Sequence, residues 1–245
     1  MRYGIVSDIH GNLQALEAVA ERLSADRVDA YLCLGDVVGY GADPNACCER
    51  VRSLPGLRVV GNHDRAAIGA FDLQWFNDHA RAALEWTARV LTPENREFLA
   101  ALPETASGSA FLLAHGSPAN PVAGYIMDAF GATAGLDVRR EPLCFVGHTH
   151  VPGAFARPRG RRLCARLDFR PGQPLALAPD CECLVNCGAV GQSRDGNPDA
   201  ACGVYDTESG TVACLRVPYD VGAAQARIHA AGLPAWLADR LAPGR

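Results

Sequence analysis

The sequence predicts an α/β fold whose strands form two packed sheets, and three observations carry that expectation. Short apolar runs alternate with helical patterns through the first 150 residues. After residue 150 strand candidates follow one another directly, punctuated by glycine, proline and arginine. The chain of 245 residues, 49% hydrophobic and 20% charged, is long enough to bury a sizeable core between such layers.

Tyr3–Val6, Tyr31–Leu34, Leu57–Val60, Phe111–Ala114 and Leu143–Val146 read as buried strands, because each is a short apolar run bounded by Gly, Pro, Asp or Asn. Between the first two lies a helix over Leu13–Leu23, where Leu13, Leu16, Ala20 and Leu23 recur at helical spacing. A second helix covers Asn45–Leu54. Asn77 is placed to cap a longer one reaching Leu91, and Thr92-Pro93-Glu94 opens another with proline in its first turn. Gly153–Ala156, Leu163–Asp168, Glu182–Cys187, Ala201–Tyr205 and Val212–Val217 are expected to form a β-meander, followed by a helical tail from Val221. With no repeat or long linker, residues 1–245 read as one domain, comprising a motif-bearing part (1–150), a β-rich part (151–217) and the tail (218–245).

Composition removes several classes of function. A net charge of -4 and a pI near 6.0 argue against a surface built to hold nucleic acid. No apolar run approaches the roughly 20 residues of a membrane helix. The opening Met1–Asp8 enters a strand-like pattern with charges inside it, unlike a secretory leader. All 23 basic residues are arginine, which excludes lysine nucleophiles and Schiff bases. The ten cysteines are expected as reduced, mostly buried thiols of a cytoplasmic protein; Cys181, Cys183 and Cys187 lack the paired spacing of a zinc site.

The chemistry lies at strand ends. The strands named above run into Ser7-Asp8-Ile9-His10-Gly11-Asn12, Gly35-Asp36, Gly61-Asn62-His63-Asp64, His115-Gly116 and Gly147-His148-Thr149-His150. Open α/β sheets place their ligand crevice just past the carboxyl ends of strands, so these clusters are expected to converge. Asp8, His10, Asp36, Asn62, His115, His148 and His150 form an oxygen and nitrogen ligand set suited to Mn, Fe or Zn rather than to all-oxygen Ca or Mg. They are too many for one tetrahedral ion and about right for two divalent ions sharing a carboxylate, the clamp used for in-line displacement at phosphorus. The two ions, two aspartates and a bridging hydroxide leave a formal charge of +1 that attracts a phosphate oxyanion.

The ordered blocks DxH (Asp8, His10), GD (Asp36), GNHD (61–64), a lone His115 and GHTH (147–150) resemble the calcineurin-like metallophosphoesterase family. GDVVGYGADPN and NCGAVGQSRDG (186–196) are similar to its bacterial branch of phosphodiesterases and diadenosine tetraphosphatases. The resemblance implies a metallophosphoesterase-like sandwich of two mixed sheets flanked by helices in four layers. It also implies that Asp8, His10 and His150 hold one ion, that Asn62, His115 and His148 hold the other, and that Asp36 bridges. A metal-bridged hydroxide then attacks phosphorus while His63, oriented by Asp64, protonates the leaving oxygen. Family members acting on phosphoproteins carry GDxxDRG; here Gly35–Gly41 has no arginine, which argues against that activity.

The expected enzyme is therefore a cytoplasmic dinuclear phosphoesterase acting on a small phosphodiester or dinucleotide polyphosphate. A phosphomonoesterase and a non-catalytic scaffold or nucleotide sensor on the same fold are the alternatives. Tyr40, Asn12 and Arg194 are candidate substrate contacts, although Asn12 reads as well as a helix start and Arg194, like Arg65, as a salt-bridged loop residue. Phe71 and Trp75 could wall a nucleobase pocket or belong to the core. The arginines between 157 and 170 read as a solvated hairpin tip, and His79 and His229 as ordinary helix histidines.

Overall fold

The computed structural model describes residues 1–245. In chain order its elements are β1 (Arg2–Val6), α1 (Leu13–Ala25), β2 (Ala30–Cys33), α2 (Pro44–Ser53), β3 (Gly56–Arg58), α3 (Asn62–Ala67), α4 (Asp78–Val90), α5 (Pro93–Ala101), β4 (Thr105–Ser107), β5 (Phe111–Ala114) and α6 (Ala129–Asp137). They continue with β6 (Leu143–Val146), β7 (Gly153–Pro158), β8 (Ala165–Leu167), β9 (Leu175–Ala176), β10 (Cys181–Asn186), β11 (Ala200–Asp206), β12 (Thr211–Val217), α7 (Val221–Ala230) and α8 (Ala235–Asp239).

The strands form two mixed six-stranded sheets, ordered β3-β2-β1-β11-β12-β9 and β4-β5-β6-β10-β7-β8. Period-two alternation explains why these strands read as unbroken apolar runs. Ile5, Leu32 and Leu34 of the first sheet meet Phe111, Leu113, Phe145 and Val185 of the second in the core between sheets. Their alternating neighbours Val6, Tyr31 and Cys33 turn outward under α1 and α2, while Cys144 and Val146 turn outward under α6. Both faces of the central strands are thus buried, as in helix-covered parallel strands. Helices, sheet, sheet and helix make four layers, as expected.

The expected β-meander is corrected. β7, β8 and β10 complete the sheet of β6, whereas β9, β11 and β12 complete the sheet of β1. β11 pairs antiparallel with β1 over Arg2–Ile5, and β10 runs parallel to β6. Both central strands of the second half must bury two faces, and they do so only by inserting beside first-half strands. Helix α6 was not foreseen, because Gly131 and Gly135 lower its helix propensity; packing of Ala132 and Leu136 on the sheet supplies what propensity does not. The tail is two helices, broken at Gly232 to Pro234, and Ile228, Leu237 and Leu241 pack against Tyr40, Ala80 and Ala83.

All ten cysteines are free, and only Cys181 is not buried. Burial pushes the Cys33, Cys144 and Cys214 thiols up to about 12, so they stay protonated at neutral pH. Iodoacetamide at pH 8 is expected to label native protein at Cys181 alone, read as a single adduct by mass spectrometry, with turnover unchanged. The same shift makes stability fall as pH rises from 9 to about 12, where unfolded thiols ionise and folded ones do not. A flat urea midpoint across that window contradicts the assignment of these thiols to the core.

Candidate metal centre

The loops after β1, β2, β5 and β6 and the start of α3 meet at one end of the two sheets. Their backbones are knitted together: Asp8 N–H donates to Gly35 O at 3.0 Å, His10 N–H to Asp36 O at 2.9 Å, and Gly191 N–H to Asp8 O at 2.9 Å. Seven non-glycine residues have positive φ, and six of them are Asp8, His10, Asp36, Tyr40, His148 and His150. A left-handed residue costs roughly 1–2 kcal/mol for an L-amino acid, and such strain concentrates where function over-determines the geometry. Glycine fills the tightest contacts. A Cβ on Gly61 would strike the Asp36 carboxylate, and one on Gly39 would strike the His63 ring.

Each carboxylate is split between structure and site. One Asp8 oxygen accepts from Ser7 Oγ at 2.6 Å, while the other lies 3.3 Å from His150 Nε2 and 3.9 Å from His10 Nε2. Asp36 Oδ1 accepts from His63 N–H at 2.8 Å, whereas buried Oδ2 has no hydrogen-bond partner and faces His115 Nε2 at 3.3 Å and His10 Nε2 at 3.6 Å.

The imidazoles are set the same way. His10 Nδ1 lies 3.1 Å from Val38 O, His115 Nδ1 2.7 Å from Leu34 O, and His150 Nδ1 2.6 Å from Gln192 O. A carbonyl only accepts, so each Nδ1 carries a proton and each Nε2 points inward, as a lone pair wherever the ring is neutral. His10 Nε2 and His150 Nε2 then face each other at 3.1 Å, as do His115 Nε2 and Asn62 Oδ1. Lone pairs crowded on carboxylates are repulsive unless a cation lies among them, and backbone carbonyls that fix a ring's tautomer are the usual outer partners of metal-bound histidine.

Protonation follows from this crowding. Burial holds His10 and His150 well below the ordinary histidine range, so both are neutral donors. Burial also pulls on His115, but the Asp36 and Asp8 charges outweigh it and raise the ring to about 9. In the ion-free site that proton supplies the positive charge the carboxylates require. Burial lifts Asp8 to about 6. Three groupings bring candidate ligand atoms within 4.8 Å of one another: Asp8–His10–His150, Asp36–His115–His148 and His10–Asp36–His63.

The sequence-derived set therefore converges, with two corrections. Asp64 makes no hydrogen bond to His63. Its oxygens accept from Val37, Val38 and Gly61 N–H at 2.8, 3.1 and 3.0 Å, tying the Asp36 loop to the start of α3, and His63 Nδ1 is buried without a partner. Asp64 thus acts on His63 only through the backbone. Asp64→Ala leaves three buried N–H groups unpaired, and a loss of about 2–5 kcal/mol is expected from the urea midpoint. Asn12 is no cleft residue: it caps α1 through Ala15 N–H at 3.1 Å and donates to Gly191 O at 2.9 Å. Arg65 pairs with Glu104 at 3.0 Å.

A cleft of about 270 Å³ opens over the cluster. Asp36, Asn62, His63, His148 and His150 form its floor, and Tyr40, Arg194, Phe71 and Trp75 stand among its walls as the sequence suggested. His63 packs at 4.5 Å from Tyr40 and 4.8 Å from Phe76, and burial pulls it down to about 4. Sequence reasoning missed Tyr125, whose ring lies 3.9 Å from His148, and Trp236 and Arg240 of the tail. Only the i, i+4 placement of the last two could have signalled a shared helix face.

Two mixed sheets carrying a buried carboxylate–imidazole cluster at their strand ends define the metallophosphoesterase class of enzyme. A calcineurin-like phosphoesterase superfamily domain matches residues 1–210, and the chain belongs to that superfamily. An uncharacterized protein of Methanocaldococcus jannaschii is 36% identical over 251 residues, covering 98% of this chain and 97% of that one. The crystal structure of a metallophosphoesterase from Sphaerobacter thermophilus matches with TM-score 0.88 and 40% identity over 100% of this chain and 99% of that one. A hypothetical protein from Pyrococcus horikoshii shares the fold with TM-score 0.80 at 21% identity, covering 100% and 98% of the two chains. No helix is long and apolar enough to cross a membrane.

Proposed function

We propose that the chain hydrolyses a small phosphodiester or dinucleotide polyphosphate at a centre for two divalent ions. Asp8, His10 and His150 would hold one ion, Asn62, His115 and His148 the other, and Asp36 would bridge them. The observation that carries this reading is the inward set of Nε2 atoms on His10, His115 and His150, each ring fixed by a carbonyl behind it and aimed at carboxylate oxygens, one of them without a partner. The oxygen and nitrogen donors fit Mn, Fe or Zn. Such ions would supply Lewis-acid charge to the phosphoryl group and make a nucleophile from water at neutral pH.

The chain's own side chains do the rest. Hydrolysis breaks one P–O bond, and the leaving oxygen must gain a proton. His63 lines the cleft beside the cluster and is the group placed to give it. The negative charge of a bound phosphate raises the pKa of this buried ring and so favours its acid form. Its proximity to His10 and Asp36 would also allow a ligand role, which metal content of a His63 variant distinguishes. Tyr40, whose hydroxyl accepts from Arg194 at 3.4 Å, stands at the cleft to contact an oxygen of the reacting phosphate. Ten free thiols support a working place in the cytoplasm.

The experiment is a screen of the Mn-, Fe- and Zn-loaded protein against bis(p-nitrophenyl) phosphate, p-nitrophenyl phosphate and diadenosine tetraphosphate. Chelator-sensitive, metal-restored turnover of diester or dinucleotide supports the reading. Preference for the monoester gives the phosphomonoesterase instead, and no turnover by any metal-loaded form makes the fold a scaffold or sensor.

A further inference from the structure

The mouth of the cleft holds charge and aromatic surface that hydrolysis of a simple ester does not use. Of its two arginines, Arg194 donates to Gln192 Oε1 at 3.1 Å and Tyr40 Oη at 3.4 Å. Arg240 engages the main-chain oxygen of Arg245 through Nε, and its terminal nitrogens have no partner. Neither guanidinium pairs with an aspartate or glutamate, whereas Arg22, Arg50, Arg65, Arg157, Arg216 and Arg227 all do.

Arg240 is held in place rather than left to solvent. Its guanidinium lies 4.3 Å from the Trp236 ring centroid, one helical turn back, and His79 stacks on the same indole at 4.9 Å. Burial and the Arg194 charge together pull Arg240 down to about 10, still fully charged at neutral pH. Two like charges lining one cleft repel and together favour an anion there, and a fork of N–H donors suits phosphate. Trp75 lines the same cleft 81% exposed, leaving its indole face open to a ligand. Trp236 and Arg240 belong to the tail, beyond the residues that match the family domain.

We propose that this mouth is a specificity subsite in which Arg194 and Arg240 grip a second phosphate, outside the one cleaved, while Trp75 stacks a planar heteroaromatic ring. The preferred substrate is then a nucleotide with at least two phosphates, not a simple diester. The proposal rests on the phosphoesterase reading above, naming the substrate class of that site.

Binding of uncleavable probes to the Mn-loaded protein tests it separately from turnover. The probes are α,β-methylene adenosine diphosphate, adenosine monophosphate and methylenebisphosphonate, measured by calorimetry. Wild-type protein should bind the methylene diphosphate about tenfold or more tighter than the monophosphate, for the second phosphate, and than the bisphosphonate, for the ring. Arg240→Gln should erase the first difference and keep the second; Trp75→Ala should do the reverse. Trp236→Phe, which keeps an aromatic seat for Arg240, should retain most of both. If all three probes bind alike in wild type, or if each variant weakens all probes equally, the subsite is wrong. Failure of the metal-loaded protein to turn over any of the screened esters, diadenosine tetraphosphate included, sinks the catalytic reading instead, whatever the probes do.

Discussion

Asp36→Asn is expected to release metal from both proposed sites and to lower turnover by more than about 100-fold. Loss of a mere outer partner of a metal ligand typically costs about 10–100-fold, and Asp36 is assigned as the ligand common to both ions. The substitution is nearly isosteric, and an asparagine oxygen can still accept from His63 N–H as Asp36 Oδ1 does at 2.8 Å, so the loop keeps its main tie. What is lost is one negative charge at the unpartnered Oδ2, which faces His115 and His10. With that charge gone, the ion-free protein also loses the main force holding the His115 proton, and the ring should fall from about 9 toward the ordinary histidine value. Metal analysis, turnover and the His115 NMR titration form three independent readouts. Full metal content with wild-type turnover would remove Asp36 from the bridge.

Much of this centre was legible in the sequence because metal-binding chemistry and strand ends coincide in the chain. Asp8, Asp36, His115, His148 and His150 each follow an apolar run, so predicting the strands placed the side chains. Burial of both strand faces kept those runs apolar, which made five of them readable even though β3 is only Gly56–Arg58. The second half was harder. β10 and β11 each look like members of a local meander, and nothing local states that they insert beside β6 and β1. Strand partnership over such separations is set by the shared core, not by turn chemistry. Asp64 differs for another reason: the resemblance implied that it orients His63, yet successive residues of a helix point apart and its carboxylate bonds backbone N–H groups instead. The left-handed backbone at Asp8, His10, Asp36, His148 and His150 carries no composition signal, because Asp and His tolerate it better than branched residues do.

His63→Gln is expected to retain metal and fold while losing about 100- to 10,000-fold in turnover of esters with poor leaving groups, the usual share of general acid catalysis. Glutamine better preserves the packing at 4.5 Å from Tyr40 and 4.8 Å from Phe76, which an alanine would empty, so loss of activity is not confounded with a cavity. The loss should scale with the basicity of the leaving group: p-nitrophenolate departs without a proton and should suffer least, an alkyl or nucleoside alkoxide most. The pH profile adds a second signature. Burial draws His63 to about 4 in the ion-free protein, so burial works against the acid form and the form is lost as pH rises. Phosphate charge in the complex moves the titration upward. The alkaline limb of kcat/KM, which reports the free enzyme, should therefore lie at lower pH than the limb of kcat, which reports the complex. Both limbs should vanish in His63→Gln, leaving the acid-side fall that comes from protonation of His10 and His150. Equal damage to good and poor leaving groups would leave His63 without its acid role, and loss of an ion in the variant would make it a ligand, consistent with its nearness to His10 and Asp36.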